Sequence, residues 1–136
     1  MPQIEQTSGI KTAQGEYDFA RDGGAVGTIQ LRGGPGDAVG NEVPAGAVIL
    51  GGYIEVDTAV TAGGAATVAV NSEGTGDLLA AAAVSGAPWS STGRKSVIPV
   101  FTGATTVKTT VARRLAITIA TAALTAGKFR VVVFYR

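Results

Sequence analysis

Val48-Ile49-Leu50-Gly51-Gly52-Tyr53-Ile54-Glu55-Val56-Asp57 is the stretch on which the fold turns. Val48, Leu50, Ile54 and Val56 recur at period two, with Gly52 among them. Ile49, Gly51, Tyr53, Glu55 and Asp57 fall on the opposite face. Successive side chains of a strand point to opposite sides, so the pattern predicts a half-buried β-strand. Two adjacent glycines in mid-strand predict a bulge or a close approach by neighbouring backbone.

The same alternation recurs on both sides of this stretch. Glu16 to Arg21 alternates, with Tyr17 and Phe19 on one face, and Asp22-Gly23-Gly24 follows as a turn signal. Gly27 to Leu31 predicts the next strand, with Ile29 and Leu31 inward. Arg32 to Gly46, with Pro35 and Pro44, predicts a long surface loop. Ala66 to Val70 predicts a strand, and Asn71 to Asp77 the turn after it. Leu78 to Val84 fits either a helical turn, through its alanines, or a short buried strand, through its length.

Downstream, Ser85 to Arg94 predicts a loop carrying the single tryptophan, Trp89. Lys95 to Phe101 predicts a strand that Pro99 confines to an edge or bulge. Thr105 to Thr109 predicts a short strand, and Leu115, Ile117 and Ile119 mark another. Thr125-Ala126-Gly127 predicts a turn. Phe129, Val131, Val133 and Tyr135 then alternate against Arg130, Val132, Phe134 and Arg136. Both faces of that last segment are apolar near its middle, so it is expected to be central in a sandwich or covered by another subunit. Eight or nine strands separated by turns predict an all-β chain, an antiparallel β-sandwich of jelly-roll-like form. Residues 16–136 form the expected domain, and the polar residues 1–15 a flexible N-terminal arm.

The 136 residues suit one domain that needs no disulfide or metal to hold its core. There is no cysteine, so thiolate chemistry is excluded, and no histidine, so the usual base of a serine or threonine nucleophile is missing. The start is polar and acidic, which predicts no secretory leader. The longest apolar run, Leu78 to Val84, is too short for a membrane helix. The chain is expected to be soluble and made in the cytoplasm.

Net charge is +1, yet the charges are segregated. All 10 acidic residues lie between Glu5 and Asp77, opposed there by Lys11, Arg21 and Arg32 alone. From Arg94 onward every charge is positive. In an interleaved β-fold early and late strands are neighbours, so the two sets are expected to meet across strands. Complementarity between subunits is the second reading. A nucleic-acid surface is disfavoured, because the basic residues are scattered and lack a set of stacking aromatics.

Several local groups carry residue types that chemistry could use. Lys95-Ser96 would need both side chains on one side of a strand. Asp18 with Glu55 could in principle form a carboxylate pair, against the ordinary reading of strand surface charge. Gly33-Gly34-Pro35-Gly36 lacks the lysine and hydroxyl of a phosphate loop. Asn71, Glu73 and Asp77 offer oxygen ligands but not the spacing of a calcium loop. Trp89 could serve as a sugar platform or cap a core. Arg113-Arg114 could bind phosphate, or split between an acidic partner and solvent. None of these amounts to a catalytic, cofactor or metal site, and no enzyme activity, cofactor or small-molecule substrate is expected.

Tyr17-Asp18-Phe19, Asp22-Gly23-Gly24-Ala25-Val26-Gly27 and Val43-Pro44-Ala45-Gly46-Ala47-Val48-Ile49 resemble a family of small structural proteins of tailed bacteriophages. So do Lys108-Thr109-Thr110-Val111-Ala112-Arg113-Arg114 and Leu124-Thr125-Ala126-Gly127-Lys128-Phe129. The resemblance spans roughly residues 16 to 136. It implies a virion protein, a capsid decoration (cement) protein that binds the outside of an assembled head and stabilises it. It implies the major capsid protein and copies of itself as partners, as a homotrimer, with no direct contact to nucleic acid or membrane. It carries over no catalytic residues. A tail or baseplate component, or a β-sandwich binding sugar or an ion through Asn71–Asp77 and Trp89, are the alternatives.

Overall fold

The computed structural model describes residues 9–33, 41–99 and 107–136. Among them are ten strands and one helical turn. The strands are β1 (Lys11–Asp18), β2 (Gly27–Gln30), β3 (Glu42–Val43), β4 (Ile49–Ala62), β5 (Thr67–Asn71), β6 (Leu79–Ala83), β7 (Gly93–Val97), β8 (Arg113–Arg114), β9 (Ala116–Ala120) and β10 (Leu124–Tyr135). The helical turn α1 is Phe19–Asp22.

The strands pair from the outside inward. β1 pairs β10, β2 pairs β9, β3 pairs β8, β4 pairs β7 and β5 pairs β6, every pair antiparallel. The chain is therefore one long hairpin. Two further pairings, β10 with β4 and β9 with β5, roll that hairpin into sheets ordered β1-β10-β4-β7 and β2-β9-β5-β6. This nested order builds an antiparallel sandwich, as the alternation predicts. The short β3–β8 ribbon forms a third, two-stranded sheet.

Between the sheets lies a core of inward β-branched and aromatic side chains. Ile54, Val56, Phe129, Val131 and Val133 come from one sheet, and Val68, Val70, Ile117 and Ile119 from the other. Phe129 stacks on Tyr17 and Trp89, with ring centroids 5.1 and 4.7 Å away. Burying each large side chain contributes roughly 1.5–3 kcal/mol, and aromatic pairs add to that.

Several expectations need correction. Of the arm expected over residues 1–15, residues 1–8 lie outside the described residues, and Lys11 to Gly15 belong to β1. Gly15 is buried, and a Cβ there would stand 2.7 Å from Leu31. Small residues at 13 and 15 thus let a polar-looking segment pack closely. Phe19 is not on a strand face with Tyr17, because Asp18 ends the strand and caps α1 by accepting the Ala20 N–H. Leu78 to Val84 contains a strand, but β6 is an edge with mostly exposed alanines. The Arg32–Gly46 loop holds β3. Of Thr105–Thr109, residues 105 and 106 lie outside the described residues, and Lys108 forms a single bridge to Val48. Thr125-Ala126-Gly127 is no turn: it is an irregular part of β10, with Gly127 at φ 146° and register shifts on both sides.

The stretch 48–57 carries the largest phase error. Ile49 is buried and Leu50 is 43% exposed, the reverse of the period-two reading. Tyr135 pairs Ile49 and Phe134 pairs Gly51, so Leu50 is the extra residue of a bulge. Bulging here was expected from the glycine pair, but the flip of the preceding residues was not. The two glycines differ in kind. A Cβ on Gly52 would collide with the Val132 carbonyl oxygen, whereas one on Gly51 meets nothing within 4 Å. Gly52→Ala is expected to destabilise by about 2–4 kcal/mol and Gly51→Ala by less than about 0.5 kcal/mol, as read from urea unfolding midpoints.

Candidate interaction surfaces

On the outer face of the first sheet, Glu16, Arg130, Glu55 and Arg94 stand in register across β1, β10, β4 and β7. Acid and base alternate along this row. Arg130 lies 4.0 Å from Glu16, 3.8 Å from Glu55 and 4.0 Å from Asp57. The acidic first half and the basic second half of the chain therefore meet across strands, as expected. Each such pair is worth little alone at a solvent-facing position, but a network holds its members in place. In the next row up, Val132 lies between Gln14 and Tyr53, and Tyr53 and Phe134 have ring centroids 6.3 Å apart. The Arg94 guanidinium sits 4.0 Å from the Tyr53 ring centroid, a cation–π contact.

A second charged cluster surrounds α1. Asp22 accepts from Arg21, from Arg32 and from the Asp18 N–H. Burial works against its charge, but these donors outweigh that and hold the Asp22 carboxyl below its usual range. Tyr17 donates to the Gly23 carbonyl from inside the core. Burial first, then the nearby Asp22 and Asp18 carboxylates, push its hydroxyl up to about 12.

The Asn71–Asp77 turn is tied together by its own side chains. The Asp77 carboxylate accepts from the N–H groups of Ser72, Glu73 and Gly74. Asn71 accepts from Gly76 N–H and donates to Thr118 on β9. Glu73 reaches out instead, accepting from Arg113 Nε and Nη2 at 3.0 and 3.2 Å and from Thr110. The oxygens weighed as ion ligands thus hold backbone and guanidinium groups.

The other candidates separate as follows. Asp18 caps α1 while Glu55 belongs to the charge row, so each carboxylate has its own partners. Lys95 donates to Ser91 at 2.7 Å. Residues 34–36 of the glycine-rich loop lie outside the described residues. Trp89 is fully buried against Phe129, which overturns a sugar platform there and makes it a core side chain. Arg113 pairs with Glu73 while Arg114 is exposed, the split expected of adjacent strand residues. Among the described residues no helix is long and apolar enough to cross a membrane. A surface cleft formed by the Asn71–Asp77 turn, β2 and β8 is not foreseen from the sequence. Its walls come from three distant segments, so no local signal marks it.

No family model matches the sequence, and no curated protein matches it. Two solved structures are similar. One is a chain of the acidic stable capsid structure of Helicobacter pylori bacteriophage KHP30, with a TM-score of 0.59 and 16% identity over 93% of this chain and 86% of that one. The other is a chain of the cyanophage Pam1 capsid asymmetric unit, with a TM-score of 0.59 and 21% identity over 93% of this chain and 83% of that one. The likeness is one of fold. It spans nearly the whole of both sheets, so the sandwich is shared as an entire architecture.

The Arg113 hydrogen bond, then those from Thr110, lower the Glu73 carboxyl from 4.5 to about 2. A depressed carboxyl stabilises the fold above its unfolded value and loses that contribution as pH falls through the folded one. Glu73→Gln should therefore flatten the loss of thermal stability between pH 4.5 and about 2, and leave no such difference in slope at neutral pH. Trp89→Ala should cost about 3–5 kcal/mol, and native Trp89 emission should be blue-shifted and unchanged by added sugars.

Proposed function

We propose that this protein is a structural virion protein, a decoration or cement subunit that binds the surface of an assembled phage capsid and stabilises it. Its partners in this reading are the major capsid protein and copies of itself, as a homotrimer. It acts without catalysis and without a cofactor, and it is made in the host cytoplasm before joining the virion. One observation carries the reading: the whole sandwich shares its fold with chains of two phage capsid structures. The sequence resemblance to small phage structural proteins agrees with it. So do the outer faces, on which Leu50 leaves a large apolar side chain exposed. A cement subunit meets the shell many times over, so weak contacts accumulate through multivalency.

The test is binding to purified phage heads stripped of this protein. Saturable binding that raises the temperature at which the heads release their DNA supports the reading. Binding to purified tails but not heads would replace it with a tail role, and binding to neither would remove it. Light scattering of the isolated protein should give the mass of a trimer. Residues 2–8 are expected to contribute to head contact. Their deletion should lower occupancy on heads; full occupancy would exclude them from the contact.

A further inference from the structure

The outer face of the first sheet holds an empty space that the fold of one chain does not require. Gly52 must be a glycine because the Val132 carbonyl crowds it, but a Cβ on Gly51 would meet nothing within 4 Å, and Gly51 has no left-handed φ. A glycine inside a strand weakens it, and commonly marks a close approach by a ligand or another backbone. The half-buried Phe134 stands opposite Gly51 in the register, yet its ring lies beside Tyr53 and leaves the space over Gly51 open. Leu50, 43% exposed, borders that space.

The charges on the same face have a matching symmetry. From edge to edge the row reads Glu16, Arg130, Glu55, Arg94, one residue on each of β1, β10, β4 and β7. Acid, base, acid, base inverts about its midpoint, which falls between β10 and β4. A second copy turned over about a two-fold axis along the strands at that midpoint lays β10 on β4 and β1 on β7. Arg130 of each copy then faces Glu55 of the other, and Glu16 faces Arg94, so all four contacts attract. An axis across the strands would set each charge against its own equal. The rotation along the strands keeps height, so it also carries Phe134 of each copy onto Gly51 of the other, and Lys128 onto Thr58 beside Asp57. The ring of one copy meets the empty space of its partner.

We propose that this face docks on the same face of a second copy about that two-fold axis, with Phe134 seated over Gly51 and the charge row setting the register. Aligned sheets cross at about 30°, which moves the two outer charge pairs by about 4 Å, within reach of arginine and glutamate side chains. Four strands of this length offer roughly 500 Å² per copy, the size of a weak, reversible contact. Such a contact forms where copies are crowded together. It is separate from the contact that would build a trimer, and it does not depend on the capsid reading, because it rests on the geometry of one chain.

The experiment follows the average mass of the full chain by light scattering as its concentration rises, at low and constant ionic strength. The mass should climb above its dilute value, whether that value is one chain or a trimer. Gly51→Gln fills the space over β4 and should abolish the climb while leaving the urea midpoint unchanged. Arg94→Glu sets acid against Glu16 of the partner copy, and Glu16→Arg sets base against its Arg94, so each variant alone should also lose the climb. Mixed in equal amounts, the two restore both attractive contacts, and the climb should return. Where a charge variant does not fold, Gly51→Gln decides alone. A constant mass for the unaltered chain, a climb that survives Gly51→Gln, or a mixture of folded charge variants that stays at its dilute mass would each overturn the proposal. Failure to bind phage heads with the climb intact would remove the capsid reading and leave this contact standing.

Discussion

Strand β1 finds its partner in β10, β2 in β9, β3 in β8, β4 in β7 and β5 in β6, and every other feature of the molecule depends on that nesting. Register has to be fixed between segments far apart in sequence, with no tight hairpin to set it for most pairs. A slip of one residue would turn Tyr17 and Phe129 out of the core and Glu16 and Arg130 into it. The hydrophobic pattern forbids that slip, and the charges reinforce it. Segregating acids early and bases late means that a folded-back chain brings opposite charges face to face along its length. Asp18 stands opposite Lys128, Glu16 opposite Arg130, Glu42 opposite Arg114 and Glu55 opposite Arg94.

Period-two alternation was legible wherever one face of a strand is buried and the other wet. Leu115 to Ile119, Val68 to Val70 and Phe129 to Tyr135 also read correctly, because their inward positions carry large apolar side chains, and β10 lies centrally in its sheet as its two apolar faces imply. Alternation fails where the backbone adds a residue. Leu50 shifts the phase of its strand, and only pairing with β10 reveals it. It fails again where small residues take the inward positions. Ala13 and Gly15 carry no hydrophobic signal, yet they let β1 approach Leu31. At Gly127 a glycine that looks like a turn instead relieves crowding against Val60 within a strand.

The surfaces were less legible than the core. Glu73 and Arg113 lie forty residues apart, and their contact needs the whole sandwich to be in place. The cleft beside them has the same origin, with one wall each from β2, the turn and β8. Trp89 shows the limit of counting residue types: a solitary tryptophan can serve a ligand or a core, and here its ring completes a three-ring stack on Phe129 and Tyr17. The acid-sensitive pair and the charge row are both products of tertiary assembly.

Placing β10 between β1 and β4 has a consequence for biosynthesis. A ribosome delivers the chain from β1 onward, so the middle plank of the first sheet emerges after both of its neighbours. Until Phe129 to Tyr135 clear the exit tunnel, β1 and β4 have no edge-to-edge connection and the aromatic stack lacks its centre. Sandwiches built from distant pairings already fold slowly. This one must also wait for its last strand, so nascent copies expose two unfinished edges, and crowded polysomes would be the place where they first meet one another.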